Sequence, residues 1–551
     1  MGDTRRVLLA TVLSVGILIL WQVAFPPAKK PPAAPPPAPP AAEATKTPAP
    51  AAPAPGAAAG AAPAAPAVPT APPDAPEEKV TLRGNGFVAT FTSHGGALAS
   101  FVLDGEKFRK DEKGKEVQID LVSVHGDQAR PFATVVSPTL GGAQDAASDP
   151  FAHGPMRIAS RSADAVAFEG KAGALDVRKS FRLTGKPYEI AVEIVATGAP
   201  AAGTLSILFP GYTSPDASKG GFFSGPPLDV VRPVCRAGDQ TERFDLGGDD
   251  APPKVPGTAA WVGLDVGYFV QAALPAEAQG SCAFARAPVK GGGLSSVVVP
   301  VEGGERRISL TVYSGPKDLD TLRGYGRGLD TAIDYGAMAR PFAFFARILL
   351  YVMRWFEEIV KNWGVAIILL TVLVKVLLFP LTAKSVASMN EMRKLQPEIE
   401  KLKAKFGNDR EKLNLATMEL YRQHKVNPLG GCLPMLLQLP IWFALYATLQ
   451  TSVELYREPF LWMKDLTRHD PYFILPIAMG ISSFVMQKLS PQPADNTQAK
   501  MMLYFMPGFF TILMLFVPGG LTLYIFVNNL LSIAQQQYMQ KRQAAVAAPA
   551  K

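Results

Sequence analysis

Three kinds of hydrophobic pattern follow one another along the chain. Val7 to Phe25 is a run of nineteen mostly apolar residues behind Arg5 and Arg6. At 1.5 Å per residue such a helix spans roughly 28 Å, close to the hydrocarbon thickness of a bilayer. The run is long for the apolar stretch of a signal peptide, and no small-x-small site precedes Pro26 and Pro27. Residues 1–27 therefore read as an uncleaved anchor with its N-terminus in the cytoplasm. From about residue 80 to 330 the period becomes two. Tyr188, Ile190, Val192 and Ile194 alternate with Glu189, Ala191 and Glu193, and Ile308, Leu310 and Val312 alternate with Arg307, Ser309 and Thr311. Short runs of this kind, separated by Gly, Pro and Asp clusters, predict a large antiparallel β-sandwich. Following an N-in anchor, it is expected outside the cytoplasmic membrane.

Beyond Tyr335 the pattern turns helical. Residues 336–360 place Phe342, Phe345, Ile348, Leu349, Val352 and Phe356 on one broad face, with Trp355 suited to a membrane boundary. This predicts an amphipathic helix lying in the membrane surface. Residues 361–540 contain five apolar spans, about 363–382, 431–452, 472–489, 501–517 and 519–537. Pro380, Pro434, Pro440, Pro476 and Pro507 are expected to interrupt them. Between the first two, residues 384–425 form a helical hairpin. Leu395, Ile399, Leu402 and Phe406 recur at helical spacing, Gly407-Asn408-Asp409 stops one helix and caps the next, and Leu413, Met418 and Tyr421 continue the seam.

Composition adds a spacer. Of 51 prolines, 19 fall between Pro26 and Pro76, where little but Ala and Pro occurs. Such a segment has nothing to bury, so residues 28–79 read as a linker. Charge adds a topology. The stretch Lys384 to Lys425 carries ten Lys/Arg against six Asp/Glu, while Val453 to Asp470 carries three against four. Basic loops stay inside, which places the hairpin, both termini and the tail 541–551 in the cytoplasm, with residues 28–340 largely periplasmic. The hairpin bases Arg393, Lys394, Lys401, Lys403 and Lys405 read either as a solvated face or as a contact for RNA or acidic headgroups.

Three cysteines and five scattered histidines exclude a zinc site, so no metal and no cofactor is expected. Cys235 and Cys282 could pair in an oxidising compartment, which the sequence leaves open. No Gly-x-Ser-x-Gly elbow or nucleophile–base pair points to an enzyme. The chemistry sits inside the spans. Lys375 lies roughly 13 Å from the cytoplasmic end of its span, where a charge costs about 2.5–3.5 kcal/mol. Thr371 shares its face. Gln438, Ser482, Ser483, Gln487, Tyr524, Asn528, Asn529 and Ser532 supply polar groups from the other spans, with Tyr524, Asn528 and Ser532 spaced by four. No Asp, Glu or His interrupts the spans, so the charge has no intramembrane partner and persists only beside water or polar groups. The pattern predicts a hydrated, positively charged recess among the helices. The absence of intramembrane carboxylates weighs against a coupled transporter, and buried Lys375 against a periplasmic scaffold merely anchored by its helices.

The runs Phe379-Pro-Leu-Thr382, Met392-Arg-Lys-Leu-Gln-Pro397 and Val426-Asn-Pro-Leu-Gly-Gly-Cys-Leu-Pro434 closely resemble the YidC membrane protein insertases. Gln438-Leu-Pro-Ile441, Asp470-Pro-Tyr-Phe-Ile-Leu-Pro476, Gln487-Lys-Leu-Ser-Pro491 and Tyr313-Ser-Gly-Pro-Lys317 extend the resemblance over essentially the whole chain. It implies an α-helical bundle of anchor plus five-helix core with a periplasmic β-sandwich, and a groove open to cytoplasm and bilayer. It implies insertion of nascent membrane proteins into the inner membrane, alone or with the Sec translocon. The ribosome would be a weak or transient partner and the lipid bilayer a constant one, with no direct nucleic-acid specificity. Two positions depart from the family pattern. Lysine at 375 stands where an arginine is usual, keeping the charge but losing the planar five-donor fork, and Ile525 stands where a tyrosine is frequent. The short tail is no basic ribosome-binding extension.

Overall fold

The computed structural model describes residues 76–547 apart from 113–114, 125–128, 138–151, 173–174, 199–202, 215–227, 229, 248–250, 277–279, 288, 302, 337–339, 408, 425, 427–432 and 490–503. The expected anchor over residues 1–27 and nearly all of the linker lie outside the described residues.

Period-two sequence becomes an antiparallel β-sandwich between Lys79 and Pro316. Its largest sheet has nine strands. Near the middle, Arg306–Pro316 pairs with Glu189–Thr197 on one side and Phe269–Pro275 on the other. A four-stranded sheet packs across it, with Gly203–Tyr212 between Gly292–Val301 and Thr134–Ser137. The central strands of the smaller sheet are buried nearly throughout, because each of their faces meets protein. The contact between sheets is close: Ser295 Oγ donates to Gly263 O at 2.7 Å. The question left open for Cys235 and Cys282 closes here, as a disulfide joins one strand of each sheet.

At the end of the sandwich Lys317 is 5% and Asp265 1% exposed. The ammonium donates to Asp265 Oδ1 at 2.6 Å and to Gly267 O at 2.7 Å. Arg232 and Arg243 take the other carboxylate oxygen at 3.2 and 3.4 Å. Arg243 also donates to Thr331 O at 2.7 Å, which pins the exit segment to the sandwich. A buried ion is tolerated only when it is paired and hydrogen-bonded, and here the Asp265 carboxylate takes three cationic donors.

Nine α-helices follow from this exit onward among the described residues: α1 (Leu319–Gly324), α2 (Ala343–Val360), α3 (Trp363–Lys394), α4 (Gln396–Phe406), α5 (Arg410–Gln423), α6 (Leu433–Thr451), α7 (Ile474–Leu489), α8 (Met506–Met514) and α9 (Gly519–Ala547). Helices α2, α3, α6, α7, α8 and α9 share one apolar core, with Met353, Ile367, Leu445, Met479, Met514 and Leu521 at its centre. By length and composition, Trp363–Met392 is the described segment that crosses the threshold for spanning a membrane, and Ile474–Leu489 is a shorter apolar helix.

Several local expectations change. Pro380 and Pro440 do not interrupt their spans but sit inside continuous helices α3 and α6. Each proline removes one backbone donor, and the neighbouring turns carry the helix through. Helix α3 therefore runs past the expected hairpin start at 384, and the hairpin proper is α4 and α5. Asp409 caps α5 by accepting from Lys412 N at 3.1 Å, as the sequence predicts. Met418 leaves the seam. It lies five residues from Leu413, on the opposite face, and is 54% exposed. The single broad face expected on α2 is two faces. Ala346, Leu349, Leu350 and Met353 are buried, whereas Phe344, Phe345, Ile348, Tyr351, Trp355 and Ile359 are exposed.

The loop between α6 and α7 joins the helices to the sandwich. Val453 and Tyr456 enter the sandwich core, and Tyr456 OH donates to Arg109 O at 2.7 Å. Lys107 Nζ donates to Glu454 O at 2.6 Å and to Glu458 Oε1 at 2.7 Å. Arg354 of α2 pairs with Asp318 at 2.8 Å and also with Asp320 and Glu454. On its other side the loop holds helix ends: Gly519 N and Gly520 N donate to Arg468 O and Leu466 O at 2.7 and 2.9 Å.

Candidate functional site

Helix α9 organises the site. It packs against α7 and α3 and touches α6, and it presents a different polar group to each. Toward α6, Tyr524 is 2% exposed, and Gln438 Nε2 donates to its hydroxyl. Toward α7, Asn529 Nδ2 donates to Ser482 Oγ at 3.1 Å and to Ser483 Oγ at 2.8 Å. Toward α3, Ser532 Oγ accepts from Lys375 Nζ at 2.8 Å. Spacing of four puts Tyr524, Asn528 and Ser532 on one side of the helix, and the one-residue step to Asn529 turns the amide toward α7.

Lys375 is half-buried and forms no salt bridge among the described residues. Its charge is met by a hydroxyl whose own proton goes to Asn528 O at 2.7 Å. Thr371, one turn earlier, is 1% exposed and donates to Ile367 O at 2.7 Å, so its proton serves its own helix. Ser482 and Ser483 likewise donate within α7, to Met479 O at 2.8 Å and Met479 Sδ at 3.3 Å, and accept from Asn529. The predicted residues thus gather around α9, but as three contacts along one helix.

Two further polar contacts escaped the sequence reading. Gln535 Nε2 donates to Thr382 Oγ1 at 2.5 Å, and Gln536 Nε2 to Leu489 O at 2.8 Å. Gln535 lies seven residues beyond Asn528, so continuing the spacing of the polar face would have found it. The hairpin bases do not join this site. Lys394 pairs with Glu391 at 2.8 Å, and Lys405 stands 5.5 Å over the Phe406 ring. Lys401 lines a cleft between α4 and α5 with Glu398, Leu402, Glu419 and Leu420. Lys403 is half-buried on the same helix. The Arg393 side chain lies outside the described residues.

The outward surface is apolar. Val376 and Leu377 of α3, Ile477 and Ile481 of α7, and Phe509, Ile512 and Phe516 beside or within α8 are exposed. A polar row facing inward within an apolar exterior is the inverse of a water-soluble protein and suits a bilayer.

Family models agree with this architecture. That of the YidC periplasmic domain matches residues 79–352, and that of the 60Kd inner membrane protein matches residues 355–546. The membrane protein insertase YidC of Anaeromyxobacter dehalogenans is 70% identical over 549 residues, covering 100% of this chain and 99% of the relative. The chain belongs to the YidC insertase family. The YidC insertase of Geobacter metallireducens is 34% identical, with 99% of each chain covered. Among solved structures, an active YidC insertase with its first transmembrane domain resolved covers 84% of this chain and 92% of its own, at 18% identity and a TM-score of 0.36. YidC relatives are named as insertases and not as enzymes, and the chain is accordingly an inner-membrane protein with a periplasmic domain.

Proposed function

We propose that this chain inserts nascent membrane proteins by receiving their polar segments along the inward face of α9, beside Lys375, while their apolar segments pass to lipid. The observation that carries this reading is the ammonium of Lys375, which donates to the Ser532 hydroxyl and has no salt bridge among the described residues. An apolar span tolerates that charge only where polar groups or water accompany it. A polar client segment beside α9 crosses less hydrocarbon, which lowers the barrier to translocation. A positive charge also attracts acidic side chains from the cytoplasm.

The loop 453–470 supports one orientation. Its docking on the sandwich supports placing that loop, the sandwich and the starts of α7 and α9 on the periplasmic side. Hairpin α4–α5 and the end of α9 then face the cytoplasm, with residues 7–25 as a sixth span and both termini inside. In this orientation the exposed aromatic row of α2 meets the periplasmic membrane–water boundary, where Trp and Tyr are favoured. The basic hairpin is the first surface met by a client, by the ribosome in transient contact, or by the Sec translocon when the two work together.

Photo-cross-linking tests the route. A photoreactive residue at Asn528 should trap the polar tail of a client stalled on the ribosome, and one at Ile512 its apolar segment. Tail adducts at Ile512 with none at Asn528 would overturn this route.

A further inference from the structure

We infer that Ser532 is a positioning residue: it holds the Lys375 ammonium in the recess and thereby sets the preference for acidic client tails. This rests on the reading that clients meet Lys375.

A lysine inside a span has an alternative. Its four-carbon stem can reach toward the cytoplasmic boundary and place the charge in water, where it costs little. The structure opposes this in two ways. Ser532 Oγ gives its proton to Asn528 O at 2.7 Å, which leaves its lone pairs directed at α3, and the ammonium occupies that direction at 2.8 Å. One hydroxyl is thus fixed as an acceptor. One turn of α9 further toward the cytoplasm, Gln535 Nε2 donates to Thr382 Oγ1 at 2.5 Å and closes the α3–α9 seam. That pair lies two turns of α3 past Lys375, in the direction along which the lysine would extend. Gly or Ala at 532 would leave the ammonium with water or with the seam residues.

A lysine needs this device more than an arginine would. Its charge is compact, its stem has four rotatable carbons, and it lacks a planar fork that could engage several acceptors at once. A single well-placed acceptor therefore decides where the charge stays. A hydrogen bond from a charged donor is worth more than a neutral one, and losing it redistributes the side chain.

The test uses full-length protein in vesicles with one client in two forms, its translocated tail carrying aspartates or the matching asparagines. Ser532→Ala should slow insertion of the aspartate form about three- to tenfold while leaving the asparagine form near the parent rate. Ser532→Thr should restore it, since the hydroxyl returns. Acylation of Lys375 by a membrane-impermeant amine reagent, read by peptide mass spectrometry, should rise in Ser532→Ala and not in Ser532→Thr. Equal slowing of both client forms, or unchanged insertion and labelling in Ser532→Ala, overturns the inference. Lys375→Glu is the companion variant. If it loses the aspartate client while Ser532→Ala does not, the charged recess stands and Ser532 is not its positioner. If Lys375→Glu loses nothing, the underlying reading falls instead.

Discussion

Lys375 and Lys179 both carry a charge where burial makes it expensive. Lys375 is conspicuous because nothing else in its span is charged. Its partner was not legible: pairing with Ser532 across 157 residues is tertiary, and no periodicity encodes it. Lys179 is less obvious. Leu175, Val177 and Phe181 face inward by period two, and the same phase turns Lys179 inward, where it is 0% exposed. Its ammonium donates to Gly95 O at 2.5 Å and Phe132 O at 2.7 Å, and it has no salt bridge among the described residues. Burial pushes its pKa from 10.5 down to about 7. The unfolded chain then binds more protons than the folded one between about pH 7 and 10.5, so the sandwich gains stability as pH rises through that window. Lys179→Met should abolish this pH dependence, as measured by β-sheet circular dichroism during thermal unfolding at pH 7 and pH 9.5. An unchanged slope would show that Lys179 is solvated.

Elements were read more easily than the contacts between them. The alternation of strand Glu189–Thr197 and the caps around Gly407 are local properties, and both appear in the structure. The division of α2 into a buried and an exposed face was not legible, because both faces are apolar and only the neighbours distinguish them. Close packing of α7 on α8 is similarly hidden. A Cβ on Gly480 would lie 2.0 Å from Thr511 Oγ1 and 3.1 Å from its Cβ. Gly480→Val should force the helices apart and cost about 1–3 kcal/mol, read as lost cross-linking between cysteines placed on α7 and α8. Full cross-linking would mean the interface has room. The hairpin has no fully buried residue in α4, which marks an element held weakly; in the proposed route it is the first surface a client meets. Deleting residues 396–423 should abolish insertion while protease protection of the remaining helices is retained. Normal insertion by such a variant, at equal protein level, would remove the hairpin from the account.

At the scale of the molecule, the sandwich and the helices share the loop 453–470. Charge counting alone puts the sandwich and that loop on the same side of the membrane, but the joint itself depends on single side chains. Arg354 gathers Asp318, Asp320 and Glu454 at a partly buried point. Arg354→Ala would leave three carboxylates facing one another, at a cost on the order of 2 kcal/mol, the size of a lost charged hydrogen bond, and should speed proteolysis in the segment joining sandwich to helices. An unchanged cleavage rate would show that the apolar contacts of Val453 and Tyr456 suffice. The polar row on α9 depends on this arrangement, since the same loop holds the start of that helix.

The account turns on the sign of one charge beside α9, and a charge swap tests it most directly. Lys375→Arg, Lys375→Ala and Lys375→Glu would be reconstituted in vesicles and compared on one client with acidic, neutral or basic translocated tails. Lys375→Arg should insert the acidic client as the parent does, Lys375→Ala less well, and Lys375→Glu poorly, with the neutral client least affected throughout and the basic client relatively favoured by Lys375→Glu. If Lys375→Glu inserts the acidic client as fast as the parent, the charged recess is contradicted, and hydration or local thinning of the bilayer must carry the translocation instead.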